Sequence, residues 1–161
     1  VDIVLSPKGT GSVTTTKVAI TGGAINGTTV GATTASTVKG TTVEATTSIG
    51  YPTGTGGSIT QLTSRTTGVT LNKICGQITL FAATTIVGHG NQEFTFTNSF
   101  IGANDVVVVC IKSGITAPQY VVGTTAISAG SCKISIQNVN NNTSPADTPV
   151  LAFAVIKAVV A

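Results

Sequence analysis

Residues 106–112 read VVVVCIK and residues 151–160 read LAFAVIKAVV, two runs in which apolar side chains follow one another with hardly a polar break. Val and Ile are stiff at χ1 and fit a pleated strand better than a helix. A strand with one wet face alternates apolar and polar residues, as 93–97 (EFTFT) and 133–137 (KISIQ) do. The two longer runs do not alternate, so both are expected to be covered on two sides. The opposing sheet of a sandwich covers one face, and neighbouring copies of the chain are the simplest second cover.

Further strand-like runs lie on either side of these. They span Ser58 to Ser64, Gly68 to Leu71, Gln77 to Phe81, Gln92 to Thr97, Val106 to Lys112, Gln119 to Thr124, Ser131 to Val139 and Pro149 to Val160. Such short runs, about ten residues apart and punctuated by Gly, Pro and Asn, are the pattern of an all-β sandwich or barrel.

The first 50 residues are different. They contain 14 Thr and 8 Gly but no aromatic residue and no Cys. All the aromatic residues (Tyr51, Phe81, Phe94, Phe96, Phe100, Tyr120 and Phe153) lie at or beyond position 51. Two domains are therefore expected: a Thr/Gly-rich β segment over 1–47 and a β-sandwich over 48–161. The first segment reads as short strands joined by tight turns. It has too little apolar surface to offset its chain entropy alone. It is ordered if several copies wrap around one axis and pool their Val, Ile and Ala side chains, and otherwise it is a flexible linker. The strand-like recurrence of its apolar residues favours the first alternative.

The charge is +3, from eight Lys and Arg against five Asp and Glu, and the cations are scattered singly. A phosphate-binding surface needs clustered cations, so no nucleic acid is expected. No run is long and apolar enough to suggest membrane insertion. A chain that begins with Val1 and holds no Met is expected to be a processed product or a piece of something longer. The spacing of Cys75, Cys110 and Cys132 fits neither a zinc knuckle nor a redox pair. Cys110, inside VVVVCIK, is expected to be a small buried hydrophobe, while a bond between Cys75 and Cys132 is left open by the sequence.

Residues 20–46, ITGGAINGTTVGATTASTVKGTTVEAT, resemble the repeats of bacteriophage tail-fibre and tail-spike shafts, and DIVLSPKGTGSV (2–13) looks like another shaft element. Thr37-Val38-Lys39-Gly40 stands where that family often carries a Phe. The remainder, from GYPTGTGGSITQL to LAFAVIKAVVA, is similar to a terminal β-domain of phage structural proteins. The resemblance implies a homotrimeric virion protein whose β shaft leads into a jelly-roll-like β-sandwich tip. It implies a tail fibre or spike that attaches to a host surface, or alternatively a head fibre or capsid decoration protein. The implied partners are further copies of the chain, other virion proteins and a host-surface glycan.

Catalytic groups are sparse. His89, in VGHGNQEF, is the one histidine, with Glu93 four residues on and Ser99 beyond, but no nucleophile elbow is present. It reads as a loop residue, although three copies of it around a threefold axis could in principle meet one metal ion. Glu93 and Asp105 are the one nearby carboxylate pair of the second domain, and Asp105 follows the turn signal GAN. TGTGGS (53–58) lacks the Lys of a phosphate-binding loop. The expectation is a protein that is not an enzyme and has no cofactor or metal. Recognition is expected on loops at the tip, IKSGITAPQY, NVNNNTSPADT and VGHGNQEF, with His89, Asn91, Tyr120 and Asn141 as the candidate contact residues.

Overall fold

The computed structural model describes residues 40, 42–83, 88–116 and 118–159. The chain divides after Ala45, and the second unit, Thr46–Ala161, contains all the strands found among the described residues. The shaft reading of 1–47 falls almost wholly outside the described residues. The second unit is all-β. Its strands are β1 (Gly56–Thr60), β2 (Val69–Thr70), β3 (Cys75–Thr79), β4 (Asn91–Thr97), β5 (Val106–Ser113), β6 (Tyr120–Ser128), β7 (Ser131–Asn138) and β8 (Val150–Ile156). Each overlaps one of the eight runs expected from the sequence.

Two four-stranded sheets form, in the orders β1-β3-β8-β5 and β2-β4-β7-β6. Both are mixed, because β1 pairs with β3 and β2 with β4 in parallel while every other pair is antiparallel. The expected jelly roll is built from antiparallel strands, so this pairing departs from it. The first four strands alternate between the sheets, which makes sequence neighbours but one the spatial neighbours.

The sheets share one core. Ile78, Leu151, Phe153, Val155 and Val107 from the first meet Phe94, Phe96, Ile134, Ile136 and Cys132 from the second. Phe96 and Phe153 join the layers edge to face, with ring centroids 4.8 Å apart and planes at 65°, a favoured aromatic geometry. β5 and β6 close one side, where the Thr124 hydroxyl donates to Val107 O at 2.9 Å.

EFTFT and KISIQ turn alternate residues inward, as their pattern requires. Within one chain VVVVCIK and LAFAVIKAVV are covered on one face only, the one turned to the second sheet. In β5, Val107 is buried while Val106 and Val108 are 50% and 48% exposed, and in β8 burial alternates likewise, with Ile156 exposed. Pleating sends successive side chains to opposite faces whatever their chemistry. Cys110 shares the outer face and is exposed, contrary to the burial expected of it. Cys75, Cys110 and Cys132 are all free thiols.

Each strand reverses the direction of the one before, so the connections fall alternately at two ends of the unit. At the proximal end the chain approaches β1 and leaves β8. The Tyr51 hydroxyl donates there to Val155 O, tying the approach to the last strand. Residues 71–74, 98–105 and 129–130 also turn at this end. The distal end carries residues 61–68, the two flanks (80–83 and 88–90) of the β3–β4 connection, 114–116 with 118–119, and 139–149.

Candidate functional site

All three loops expected to carry recognition belong to the distal end, away from the chain's approach. They are tied together by backbone bonds: His89 N donates to Asn140 O at 3.0 Å and Val139 N to Gln119 O at 2.8 Å, while beside them Leu80 N donates to Pro149 O at 2.8 Å. Two glycines permit the close approach. A Cβ on Gly88 would lie 2.0 Å from Asn141 O, and one on Gly114, whose φ is +78°, would lie 2.0 Å from Thr148 O. No side chain fits either place.

The four candidate contact residues separate. His89 and Asn141 meet on the exposed surface, His89 Nε2 lying 2.5 Å from Asn141 Oδ1. His89 holds a left-handed backbone with φ 57°, uncommon for a residue with a side chain. Asn91 opens β4 on the outer face of the second sheet, its Oδ1 accepting from the Ser135 hydroxyl at 2.5 Å. Tyr120 is not a surface residue of the loop as expected but is buried, and its hydroxyl donates to Asp147 Oδ2 at 3.2 Å. An aromatic ring at the start of a strand that faces a core is worth more buried than wet.

Beneath these loops lies a residue that the sequence reading passed over. Arg65, the chain's one arginine, is 1% exposed. Its Nε donates to Phe81 O at 3.0 Å and its Nη2 to Asp147 O at 2.6 Å. The guanidinium carbon lies 5.7 Å from the Tyr120 ring centroid, a cation–π position. Gln61, also buried, holds the turn in shape: its Nε2 donates to Arg65 O at 3.2 Å and Thr67 O at 2.7 Å, and its Oε1 accepts from Phe81 N at 3.3 Å. Nη1 has no hydrogen-bond partner among the described residues. Among the described residues, the two salt bridges join Lys133 to Glu93 and Lys157 to Asp105, leaving Arg65 with none.

The nearest acid, Asp147, is engaged otherwise. Its Oδ1 accepts from Thr116 N at 3.2 Å and from the Thr116 hydroxyl at 2.5 Å. Burial pushes the Asp147 carboxyl up, but the bonds from Thr116 and Tyr120 and the positive charge of Arg65 outweigh it, so its pKa lies below the ordinary value. Next to this group opens a cleft of about 360 Å³ lined by Ser64, Arg65, Thr66, Phe81, Ala82, Ala83, Gln92 and Ala146. The single arginine amid hydroxyl residues, LTSRTTG, was the one signal in the sequence that pointed here.

The residues weighed for catalysis are dispersed. Ser99 lies at the proximal end, its amide on Asn72 Oδ1, while His89 lies at the distal end. Glu93 is bound by Lys133 and Thr125 on the outer face of the second sheet, and Asp105 by Lys157, Gly102 and Ala158 at the proximal end. No family model, curated protein or solved structure matches this chain.

Proposed function

We propose that this chain is a non-enzymatic structural protein of a bacteriophage virion, a part of a homotrimeric tail fibre or spike whose distal loops meet the host surface. The observation that carries the reading is the outer face of the first sheet. Val106, Val108, Cys110, Ala152, Ala154, Ile156 and Cys75 lie there as an apolar stripe on adjacent strands, with Gln77 and Ser58 beside it and Lys112 at its distal end. The outer face of the second sheet shows what this protein does with a wet surface: Asn91, Glu93, Thr95, Lys133, Ser135 and Gln137 point outward, and Lys133 pairs with Glu93 at 2.7 Å. The outer face of the second sheet is polar apart from Val121, whereas the middle of the first sheet's outer face is apolar.

An apolar stripe of this kind is covered best by another like it, and further copies of the chain always supply one. Equivalent faces around a threefold axis close into a trimer. Such an assembly also supplies the second cover that the two apolar runs call for. The resemblance of residues 2–13 and 20–46 to shaft repeats supports placing it in a fibre or spike. The distal position of the three recognition loops supports a role as its tip. Gold-labelled antibody against residues 139–149, applied to intact particles, should mark fibre or spike ends. Label spread over the head shell would overturn the tail assignment.

A further inference from the structure

The geometry points to the distal cleft as a binding site for a small carboxylate with an apolar body. A guanidinium stays charged throughout the accessible pH range, and buried charges in folded proteins are normally paired. Arg65 is buried, forms no salt bridge among the described residues, and leaves Nη1 without an acceptor. Its other contacts are neutral carbonyls, which fix the position of the group without neutralising it. The Tyr120 ring lies against it from a further side, and Gln61 fixes the Arg65 backbone by donating to its carbonyl. A cation fixed in advance and short of one anionic partner is pre-organised for a carboxylate, whose two oxygens match the guanidinium fork.

The lining fits that ligand class. Phe81, Ala82, Ala83 and Ala146 offer apolar wall, while Ser64 and Thr66 add hydroxyls. Among the described residues, no acidic side chain lines the cleft. Asp147, the acid closest to Arg65 electrostatically, has its oxygens turned to Thr116 and Tyr120. A volume of about 360 Å³ falls at the lower end of the range of small-molecule sites, which are mostly apolar with a few placed polar groups. The cleft's chemistry holds whether or not the chain trimerises.

The test is a titration of the intact, isotope-labelled chain, followed by amide NMR, with sodium benzoate and separately with benzyl alcohol. Benzoate should shift the amides of Thr66, Ala82 and Ala83 in a saturable way. Benzyl alcohol, of similar shape but without the charge, should bind at least about tenfold more weakly. Arg65→Lys keeps the charge but loses the fork, and should cost benzoate affinity at least about tenfold. Should that variant fail to fold, Ala146→Phe, at an exposed loop position, fills the cleft with Arg65 intact and should abolish the shifts. The inference is overturned if benzoate gives no saturable shift, if benzyl alcohol binds equally well, or if Ala146→Phe binds benzoate unchanged.

Discussion

Replacing Phe153 by Ala tests the core where its packing is least forgiving. Phe153 is 4% exposed at the middle of β8, between Gly76 of β3 and Val109 of β5. Its ring meets Phe96 edge to face at 4.8 Å. It also lies over the bare α-carbon of Gly76, since a Cβ there would be 3.1 Å from the ring. Glycine has no side chain with which to fill a hole, so the cavity left by truncation should stay open. Phe→Ala in a core costs about 3–5 kcal/mol depending on how well the site collapses, and here the upper part of that range is expected, about 4–5 kcal/mol. The loss of the edge-to-face pair is part of it, about 1 kcal/mol. Against a typical stability of about 5–15 kcal/mol the variant should be folded but fragile. Urea unfolding followed by far-UV circular dichroism is the assay, because the chain has no Trp to report by fluorescence. With a slope of about 2 kcal/mol per M, the midpoint should fall by about 2 M at matched protein concentration. A fall of less than about 0.5 M would refute the packing argument.

Other outcomes follow from the same geometry. Asp105, whose carboxyl is held low chiefly by Lys157 and the Gly102 amide, and Asp147 both have folded pKa values below the ordinary one. The unfolded chain therefore takes up protons first, near pH 3.9. The stability from these groups is present above that pH and lost as pH falls through their folded values, so urea midpoints should drop on acidification and drop less in Asp147→Asn. Gly114→Ala should lower stability by at least about 1–2 kcal/mol, the cost of a left-handed non-glycine residue, before its clash with Thr148 O is counted; an unchanged midpoint would contradict the close approach. Burial pushes the Cys132 thiol up to about 11, so in the native protein it should resist a thiol reagent at pH 8 that modifies it on unfolding. Cys110 should be protected in the assembly and react when the assembly is broken.

Where residue types alternate, the fold could be read directly. EFTFT and KISIQ announced which side faces inward, and turn residues marked all eight strands. VVVVCIK could not be read in the same way. When every position is apolar, period two leaves no trace in the sequence, although the pleat still sends Val107 in and Val108 out. The parallel pairs escaped because nothing local distinguishes a strand that pairs with its next neighbour from one that skips it. The distal site was half legible. Glycine, Asn and His marked the loops, and His89 and Asn141 do meet across 52 positions. Tyr120 was misread as surface because its anchor, Asp147, lies 27 residues on. Arg65 was passed over because its bond to Asp147 O spans 82 positions, and a single cation in a polar turn reads as solvated until its partners are known.

The central claim, that the bare outer face of the first sheet is covered by further copies of the chain, is tested most directly by the sedimentation-equilibrium mass of the intact chain and of Val108→Lys. Val108 is about half exposed on that face, so the lysine costs a lone chain little and places a charge in the interface three times over. The account predicts three chain masses for the wild type at micromolar concentration, and dissociation with unchanged circular dichroism for the variant. A wild-type mass of one chain, or a Val108→Lys trimer as tight as the wild type, would contradict it.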